Sequence, residues 1–384
     1  MKHKIRLGIL GAGALTQCLL DCYAAHPLVE FVGLADYAAG LAQDVAAAFH
    51  QRHGIHIPIF TSYEDMMRDS VMDALFIACD PDCQVDYAVD AMNRGIHVMT
   101  QVPAAFTMDQ CWALVNTVRK TGVKYQLAEQ ARYWNFIRQW RNMANAGEFG
   151  KIYYAEGEYL HYEPVWGLLR DKKTHRTVCP RTAEDFSNPD YEMSWRYRTF
   201  QNPIYYMPHE LSPLLSITGG RIAKVSCLGT RLGSYDNPLL QTRDLQTALM
   251  YNTEDVIFSL RAGFTAPYGF KNELGAHWYQ IKGSKATVET SRSTLDTMKL
   301  YRAGGEWETR HWGTIDPDAP EHIRNATHGG TDFYPIQTFV DAIVNDTTPP
   351  MDVYLAVESA APAIMAAQSS EQGGVLLEVP DFRP

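Results

Sequence analysis

A glycine turn near the N-terminus, Gly11-Ala12-Gly13, is the feature of the sequence best suited to bind a ligand. It directly follows the apolar run Lys4–Leu10 and precedes helix-forming residues that begin with Ala14 and Leu15. Gly11 permits a tight turn, Gly13 lets a pyrophosphate approach the backbone, and the N-terminus of the following helix attracts negative charge. The pattern predicts that Gly11, Gly13, Ala14 and Leu15 contact a dinucleotide.

An acidic residue at the end of the next apolar run supports this interpretation. Asp36 follows Val29–Ala35, about 20 residues beyond the glycines, where a carboxylate binds the ribose diol and repels a 2′-phosphate. NAD is therefore favoured over NADP. Thr16 stands where the third glycine of the usual motif would be. The alternative is a strand-to-helix turn whose glycines meet only steric needs.

Candidate cofactor residues also follow the predicted fourth and fifth strands, at Cys79-Asp80-Pro81 and at Gln101 and Pro103. Dinucleotides lie in the crevice outside the carboxyl ends of parallel strands. Gln101 can hydrogen-bond a hydroxyl or an amide but cannot act as a base. We expect the peptide bond before Pro103 to be cis, which would suit a proline beside a cofactor.

The segment Tyr205-Tyr206-Met207-Pro208-His209 is the leading candidate for acid–base chemistry, and it precedes a predicted helix, Glu210–Ile217. A histidine titrates near neutral pH and can remove a proton from a hydroxyl. Tyr205 and Tyr206 can orient His209 or relay that proton. The alternative is an aromatic entry to the helix with no chemical role.

These residues must be positioned by an α/β architecture. Six apolar runs alternate with segments of helix length, a rhythm that predicts βαβ units and a doubly wound parallel sheet of the Rossmann type. The runs are Lys4–Leu10, Val29–Ala35, Ile55–Phe60, Asp73–Ala78, Gly95–Thr100 and Val123–Ala128. We assign residues 1–128 to this domain.

The remaining residues, 129–384, predict an α+β domain with a large, open, mostly antiparallel sheet. Its strand-like runs are Lys151–His161, Ile222–Leu232, Thr242–Asn252, Val256–Phe264, His277–Lys282 and Ala286–Thr290. An irregular insertion is predicted at about 164–208, and loops of that length are usually functional. We expect it to shape a pocket.

Composition excludes several classes of protein. The 384 residues are 46% hydrophobic and carry 44 acidic against 34 basic side chains, a net charge of −10, which argues against nucleic acid as a partner. No apolar stretch is long enough to span a membrane, and no signal peptide is expected. Seven cysteines without metal-ligand spacing predict free thiols, no metal site and a cytoplasmic location.

The chain resembles, over essentially its whole length, the glucose–fructose oxidoreductase / inositol dehydrogenase / MocA family. The resemblance implies an NAD(P)-binding Rossmann domain, a sheet that covers the nicotinamide, and a homo-oligomer, either a dimer or a tetramer. Usual members have Glu-Lys-Pro where this chain has Gln101-Val102-Pro103, and Asp where it has Tyr205. The resemblance is carried by Gly11-Ala12-Gly13, Asp36, residues 77–82, 95–98 and 102–103, and the terminal Val379-Pro380-Asp381-Phe382.

Four further segments are similar to the NAD-dependent α-N-acetylgalactosaminidase-type glycosidases: residues 102–107, 111–112, 157–161 and 328–333. Those enzymes carry Glu-Val-Pro at the position of Gln101-Val102-Pro103. They carry Tyr-Pro-Thr-His at the position of Tyr206-Met207-Pro208-His209, so the tyrosine and the histidine are both retained here.

The resemblance implies a carbohydrate substrate and a set of residues around it. His209 with Tyr206 is the leading catalytic assignment, and Tyr159, His161 and Gln101 are further candidates, although Tyr159 and His161 could simply alternate on a sheet face. Candidate substrate contacts are Glu129, Arg196, Tyr205 and His328. Arg196 could stack on a sugar, or it could pack within a charged loop.

Three functions remain open at this point. The first is an NAD-dependent oxidoreductase that acts on a hydroxyl of a sugar, glycoside or cyclitol. The second is a redox-neutral glycosidase or lyase that oxidises carbon 3, eliminates the anomeric substituent, adds water and returns the hydride. The third is a non-catalytic NAD-binding sensor.

Overall fold

The computed structural model describes residues 4–162, 167–235, 237, 239–265, 274–324 and 327–384. Its N-terminal part is a six-stranded parallel sheet in the order β3-β2-β1-β4-β5-β6, so the predicted doubly wound sheet is confirmed. The strand order reverses between β1 and β4, which is where ligands bind in such sheets. The elements are β1 Ile5–Leu10, α1 Ala14–Ala24, β2 Val29–Ala35, α2 Ala39–His53, β3 Ile59–Phe60, α3 Tyr63–Asp69, β4 Ala74–Ile77, α4 Gln84–Asn93, β5 His97–Thr100, α5 Met108–Thr121 and β6 Tyr125–Leu127.

One strand of this sheet is shorter than the sequence predicts. The run Ile55–Phe60 forms a strand only at Ile59–Phe60, because Pro58 lies within it and has no N–H to donate. The carbonyl oxygen of Pro58 still accepts a hydrogen bond from the backbone N–H of Leu34, at 2.8 Å.

The second part of the fold is a nine-stranded sheet in the order β17-β16-β15-β14-β7-β13-β12-β11-β18. All neighbouring strands pair antiparallel except β7 and β13, which are parallel, so the predicted mostly antiparallel sheet is confirmed. Its strands are β7 Ile152–Leu160, β11 Ile222–Gly229, β12 Gln246–Asn252, β13 Ile257–Gly263, β14 His277–Gly283, β15 Ala286–Glu289, β16 Met298–Arg302, β17 Trp307–Arg310 and β18 Leu377–Glu378.

Two helices of the second part, α8 Pro208–Thr218 and α11 Val353–Glu371, pack against the large sheet. The other helices of this part are α6 Asn135–Asn145, α9 Glu321–Arg324 and α10 Phe333–Val344. Ile336, Phe339 and Val340 of α10 share a buried cluster with Leu19 and Leu20 of α1. Thus α10 follows residue 129 in the chain but packs into the core of the N-terminal part. The domain boundary at 128/129 therefore stays a prediction.

The prediction that the insertion at 164–208 is irregular is wrong, because this segment contains short strands and a helix. A three-stranded antiparallel sheet, in the order β10-β8-β9, is formed by β8 Leu169–Asp171, β9 Thr177–Val178 and β10 Tyr191–Met193, and a short helix α7 Trp195–Thr199 follows. Strands of two or three residues are too short to show an alternating pattern. The part of the prediction at 164–166 lies outside the described residues.

Gly157 on β7 allows α8 to approach the large sheet closely. A Cβ built there would lie 2.7 Å from Cβ of Glu210 and 3.0 Å from a methyl group of Leu260, closer than real side chains pack. This contact fixes the first turn of α8 directly above the sheet. His209 and Glu210 both belong to that turn.

Candidate active site

The glycine turn has the geometry that a bound pyrophosphate needs. Gly11 has φ +103°, and a Cβ there would lie 2.4 Å from the carbonyl oxygen of Ala78, so only glycine fits. Gly13 is the N-cap of α1 and makes no side-chain capping bond. A Cβ at Gly13 would have nothing within 4 Å. The start of α1 therefore faces open space, and its N-terminal dipole favours an anion there.

Asp36 binds the glycine turn from the end of β2. Its two carboxylate oxygens accept hydrogen bonds from the backbone N–H groups of Ala12 and Ala38, both at 2.7 Å. Each carboxylate oxygen can accept more than one hydrogen bond, so ribose hydroxyls can still bind. Asp36 lines a cleft of about 170 Å³ together with Gly11, Cys79 and Asp80. The residues present thus fit both the phosphates and the ribose of NAD.

Thr16 explains how the turn tolerates the loss of the third glycine. The side chain is buried, and its hydroxyl donates a 2.7 Å hydrogen bond to the carbonyl oxygen of Gly11. The residue that replaces glycine therefore adds a bond that holds the turn.

We expect Thr16→Val to lower the free energy of unfolding by about 1–2 kcal/mol, because the isosteric change leaves the buried carbonyl of Gly11 without its donor. Urea denaturation measures the effect. The matched control is Thr121→Val, whose hydroxyl donates to the carbonyl of Thr117 at the partly exposed end of α5. An equal loss in both variants would contradict the buried-bond explanation.

A second cleft, of about 200 Å³, lies between the two parts of the fold. The N-terminal part contributes Leu15, Leu19, Met99, Val102 and Ala128. The second part contributes a polar wall of one tyrosine, four histidines and an aspartate, namely Tyr159, His161, His209, His277, His328 and Asp332. The start of α1 and this polar wall therefore share one cleft, which we term the histidine cleft.

His209 is held at the cleft by a buried carboxylate. Its Nδ1 lies 3.1 Å from Oε2 and 3.4 Å from Oε1 of Glu129. Glu129 is fully buried and its Oε1 also accepts the N–H of Ala131. Since Glu129 takes Nδ1, any proton that His209 exchanges with a ligand must pass through Nε2. Pro208 at the first helical position of α8 fixes where the helix, and hence His209, begins.

A second histidine–carboxylate pair stands beside the first. Nδ1 of His277 on β14 lies 2.6 Å from Oε1 of Glu210, and both side chains are almost wholly buried. Burial, with the charges of Glu129 and Glu158, raises the pKa of Glu210 well above its usual range. Burial, with the charges of His209, His161 and His328, lowers the pKa of His277. Both shifts favour the neutral form of the side chain concerned.

A third pair joins His328 to Asp332 at the mouth of the cleft, with Nδ1 2.8 Å from Oδ2. Burial opposes the charged imidazolium, but the hydrogen bond to Asp332 and the charges of Asp332 and Glu129 outweigh it and raise the pKa of His328. His328 adopts φ +52°, a conformation that asparagine also tolerates.

This third pair predicts a pH-dependent contribution to stability. Because folding raises the pKa of His328, its stabilisation is fully present below the unfolded value of about 6.5 and is lost as pH rises through the folded value. We expect wild type to be more stable than His328→Asn at pH 5.5–6.5, with a smaller difference at pH 8–9. Urea denaturation at both ends of this range checks the sign, and a difference that grows with pH would contradict it.

The other sequence candidates lie near the cleft in different settings. Tyr159 packs against His209 with ring centroids 5.1 Å apart, and His161 packs against Tyr159 at 4.4 Å. Tyr206 is buried, and its hydroxyl lies 3.2 Å from that of Thr199. Tyr206 does not line the histidine cleft. The structure therefore brings Tyr159 and His161 to the same wall as His209.

Three further candidates, Gln101, Tyr205 and Arg196, are not in that wall. The amide of Gln101 donates to the carbonyl oxygen of Cys79 at 2.7 Å, beside the dinucleotide crevice. Tyr205 packs edge-on against Phe106, and the guanidinium of Arg196 lies 4.5 Å from the ring of Trp195. The peptide bond between Val102 and Pro103 is cis, as predicted. The catalytic and substrate-binding roles of Gln101, Tyr205, Tyr206 and Arg196 stay predictions.

The insertion reaches across to the dinucleotide crevice. Arg170 bonds Asp80 at 2.9 Å and the hydroxyl of Tyr37 at 2.6 Å, and Arg198 bonds Asp82 at 2.6 Å. Tyr37 and Asp80 both line the Asp36 cleft. The insertion, which was predicted to shape a pocket, thus contacts the crevice where the adenosine half of a dinucleotide would lie.

Sequence reasoning missed His277, Glu210 and Asp332. His277 begins a predicted strand, and Glu210 directly follows His209, so both were available as candidates. Their pairing depends on tertiary packing between residues 67 positions apart. Asp332 stands four residues after His328, a spacing that could have indicated the third pair.

Within the described residues, no group of three or more histidine, cysteine, aspartate or glutamate side chains has a geometry that could hold a metal ion. In the same part of the chain, no helix has the length and apolar character to cross a membrane.

Comparisons with known proteins agree with these features. The model of the Gfo/Idh/MocA oxidoreductase family, NAD-binding Rossmann fold, matches residues 5–129, and that of the glycosyl hydrolase 109 C-terminal domain matches residues 301–384. A glycosyl hydrolase family 109 protein of Parabacteroides distasonis is 24% identical over 99% of this chain and 87% of its own length. An α-N-acetylgalactosaminidase of Tannerella forsythia is 24% identical over 98% of this chain and 86% of its own length.

A solved structure with the same fold gives a similar result. Levoglucosan dehydrogenase, in complex with NADH and L-sorbose, superposes with a TM-score of 0.75 at 14% identity, over 99% of this chain and 100% of that chain. At this level of identity the likeness supports the arrangement of the two sheets.

Proposed function

We propose that the chain transfers hydride between NAD and a ring carbon of a carbohydrate, because residues 5–129 match the NAD-binding domain of the Gfo/Idh/MocA oxidoreductases and residues 301–384 match the glycosyl hydrolase 109 C-terminal domain. The single observation that carries this proposal is the His209–Glu129 pair, whose histidine lines the cleft that Leu15 at the start of α1 also lines. A base beside the cofactor crevice is what oxidation of a hydroxyl requires.

The chain's own residues divide the work around the substrate. NAD, when bound by Gly11, Gly13 and Asp36, supplies the hydride acceptor and later the hydride donor. His209 accepts the hydroxyl proton at Nε2, and the buried carboxylate of Glu129 stabilises the resulting imidazolium. An alkoxide gives up its hydride far more readily than an alcohol, so this proton transfer drives the oxidation.

Several contacts and properties belong to the same proposal. Tyr159, His161 and His328 would contact the sugar from the histidine cleft, and Arg196 and Tyr205 from the insertion side.

We also propose a cytoplasmic homo-oligomer. Tyr251 on β12 and Ile257 on β13 lie directly opposite each other in the large sheet, and both are exposed. An exposed pair of large hydrophobic side chains supports assembly, because a second copy could cover it. Light scattering of the purified protein measures the oligomeric state.

The test is to incubate the NAD-loaded protein with a panel of free sugars, cyclitols and aryl glycosides. Near-ultraviolet absorbance reports the accumulation of NADH, and the colour of nitrophenol reports cleavage. Hydride transfer predicts one or both signals on at least one substrate. The proposal would be contradicted if both signals were absent and no deuterium passed between a deuterated substrate and the cofactor.

A second candidate function is redox-neutral cleavage of a glycoside. It is favoured by the additional His277–Glu210 pair in the same cleft, because elimination and addition of water need more than one acid–base group. The similarity to glycosyl hydrolase family 109 proteins over nearly the whole chain also favours it. In this reaction Tyr159 or His161 would accept the proton from the carbon beside the ketone. Cleavage without net NADH formation would identify it.

A further inference from the structure

The His277–Glu210 pair is the feature that hydride transfer does not use. Glu210 is fully buried, and its charge is opposed by Glu129 and Glu158. Its Oε1 lies 2.6 Å from Nδ1 of His277, and its Oε2 is buried without a hydrogen-bond partner among the described residues. An ionised carboxylate would leave a charged oxygen unpaired there, which is costly. A neutral carboxyl group that donates its proton to Nδ1 avoids that cost.

This arrangement fixes the tautomer of His277. When Nδ1 accepts the carboxyl proton, the neutral ring carries its own proton on Nε2. His277 lines the histidine cleft, where its ring lies 5.0 Å from that of Tyr159 and 6.0 Å from that of His209. Trp134 packs edge-on against the imidazole at 4.9 Å and limits its rotation. The pair is therefore built to present a proton donor to a ligand in the cleft.

We propose that His277, backed by Glu210, donates the proton to the glycosidic oxygen that leaves, and takes a proton back from the water that replaces it. This inference rests on the second candidate function above. It assigns to one pair the acid and base roles that glycoside cleavage needs in succession.

In this step the substrate carries a ketone at carbon 3 and has already lost its proton at carbon 2. The carbonyl at carbon 3 is restored as the electron pair of the enolate forms the second bond between carbons 1 and 2, and the bond between carbon 1 and the leaving oxygen breaks. That oxygen takes the bond's electron pair and the proton from Nε2 of His277. The proton of Glu210 moves to Nδ1, so the pair ends with an ionised Glu210 and a neutral histidine. Addition of water reverses these movements.

The test uses substrates that already contain the ketone, so that no oxidised cofactor is needed. We use methyl and 4-nitrophenyl glycosides of 3-keto-glucose and 3-keto-N-acetylgalactosamine, in both anomeric forms. Methoxide is a poor leaving group and needs a proton, whereas 4-nitrophenolate leaves without one. We expect His277→Gln to slow release of methanol by at least about 100-fold and release of nitrophenol by less than about 10-fold.

Glu210→Gln serves as the second variant, because its amide can still donate to Nδ1 but cannot pass on a proton. We expect the same dependence on the leaving group, with a smaller loss. His50→Gln, on the exposed side of α2, is the control and should match wild type. Equal losses on both aglycones, or no loss on either, would overturn the proposal, as would failure of wild type to eliminate either ketone.

A second readout does not depend on turnover. Nitrogen NMR of the protein labelled at histidine, with His277→Gln used to assign the resonance, should show Nε2 protonated and Nδ1 unprotonated at neutral pH. The opposite tautomer would overturn the assignment as an acid. Elimination from the ketones without hydride transfer from intact glycosides to NAD would instead contradict the proposed function and leave the role of His277 supported.

Discussion

We expect His209→Ala to lower kcat for hydride transfer by at least about 100-fold, the usual contribution of a positioned general base. The imidazole is the group in the histidine cleft whose Nδ1 is held by the buried Glu129, at 3.1 Å. Alanine leaves that carboxylate without its partner and leaves the substrate hydroxyl without an acceptor. The measurement is the rate of NADH formation or isotope exchange on the substrate that the panel identifies.

Two further measurements show whether the loss is chemical. The affinity for NADH, followed by the fluorescence of this reduced cofactor, should stay within a few-fold of wild type. His209 belongs to the polar wall of the cleft and not to the glycine turn. Glu129→Gln should reduce the rate as well, since an amide supports the imidazolium less well than a carboxylate. An unchanged assayed function in His209→Ala would favour the non-catalytic NAD-binding sensor.

Much of the N-terminal domain can be predicted from the sequence because its signals are local. Gly11 must be glycine because of a backbone angle and one contact with Ala78, and both follow from a strand that runs into a helix. Asp36 ends the neighbouring strand for the same reason. The register of a parallel sheet brings the two together without information from distant parts of the chain.

The acid–base pairs could be predicted only in part. His209 was found from its neighbours in the chain, whereas the role of Glu129 as its partner depends on how β6 meets α8 in the folded protein. The pairing of His277 with Glu210 further depends on Gly157, which lets α8 approach β7. Such contacts between distant segments carry no periodic signal, so a single sequence does not reveal them.

Adjacent residues in the chain also face different surroundings, which sequence proximity does not show. Tyr206 and His209 stand three residues apart, yet the tyrosine hydroxyl bonds Thr199 while the histidine lines the cleft. The tyrosine ends a short 3-10 helix and the histidine begins α8. The change of direction between these helices separates two side chains that the motif suggests are together.

The second large effect concerns the cofactor, and we expect Gly13→Val to reduce the affinity for NAD by about 100-fold or more. Gly13 has φ −65°, which any residue adopts, and a Cβ there meets nothing within 4 Å. The valine side chain would therefore fold without strain and occupy the space in which the pyrophosphate approaches the start of α1. A hundredfold loss corresponds to roughly 2.8 kcal/mol of binding free energy.

The effects of Gly13→Val on NAD binding and on folding can be measured separately, because we expect only NAD binding to be weakened. Thermal unfolding without cofactor should stay close to that of wild type, while the stabilisation that added NAD gives wild type should disappear. Gly11→Ala is the contrasting variant, because its Cβ would collide with the carbonyl of Ala78 and should lower stability as well as affinity. Gly40→Ala, at another open position in α2, should change neither affinity nor activity. If Gly13→Val bound NAD as tightly as wild type, the pyrophosphate could not lie against this turn, and the cofactor would have to enter the cleft in another orientation.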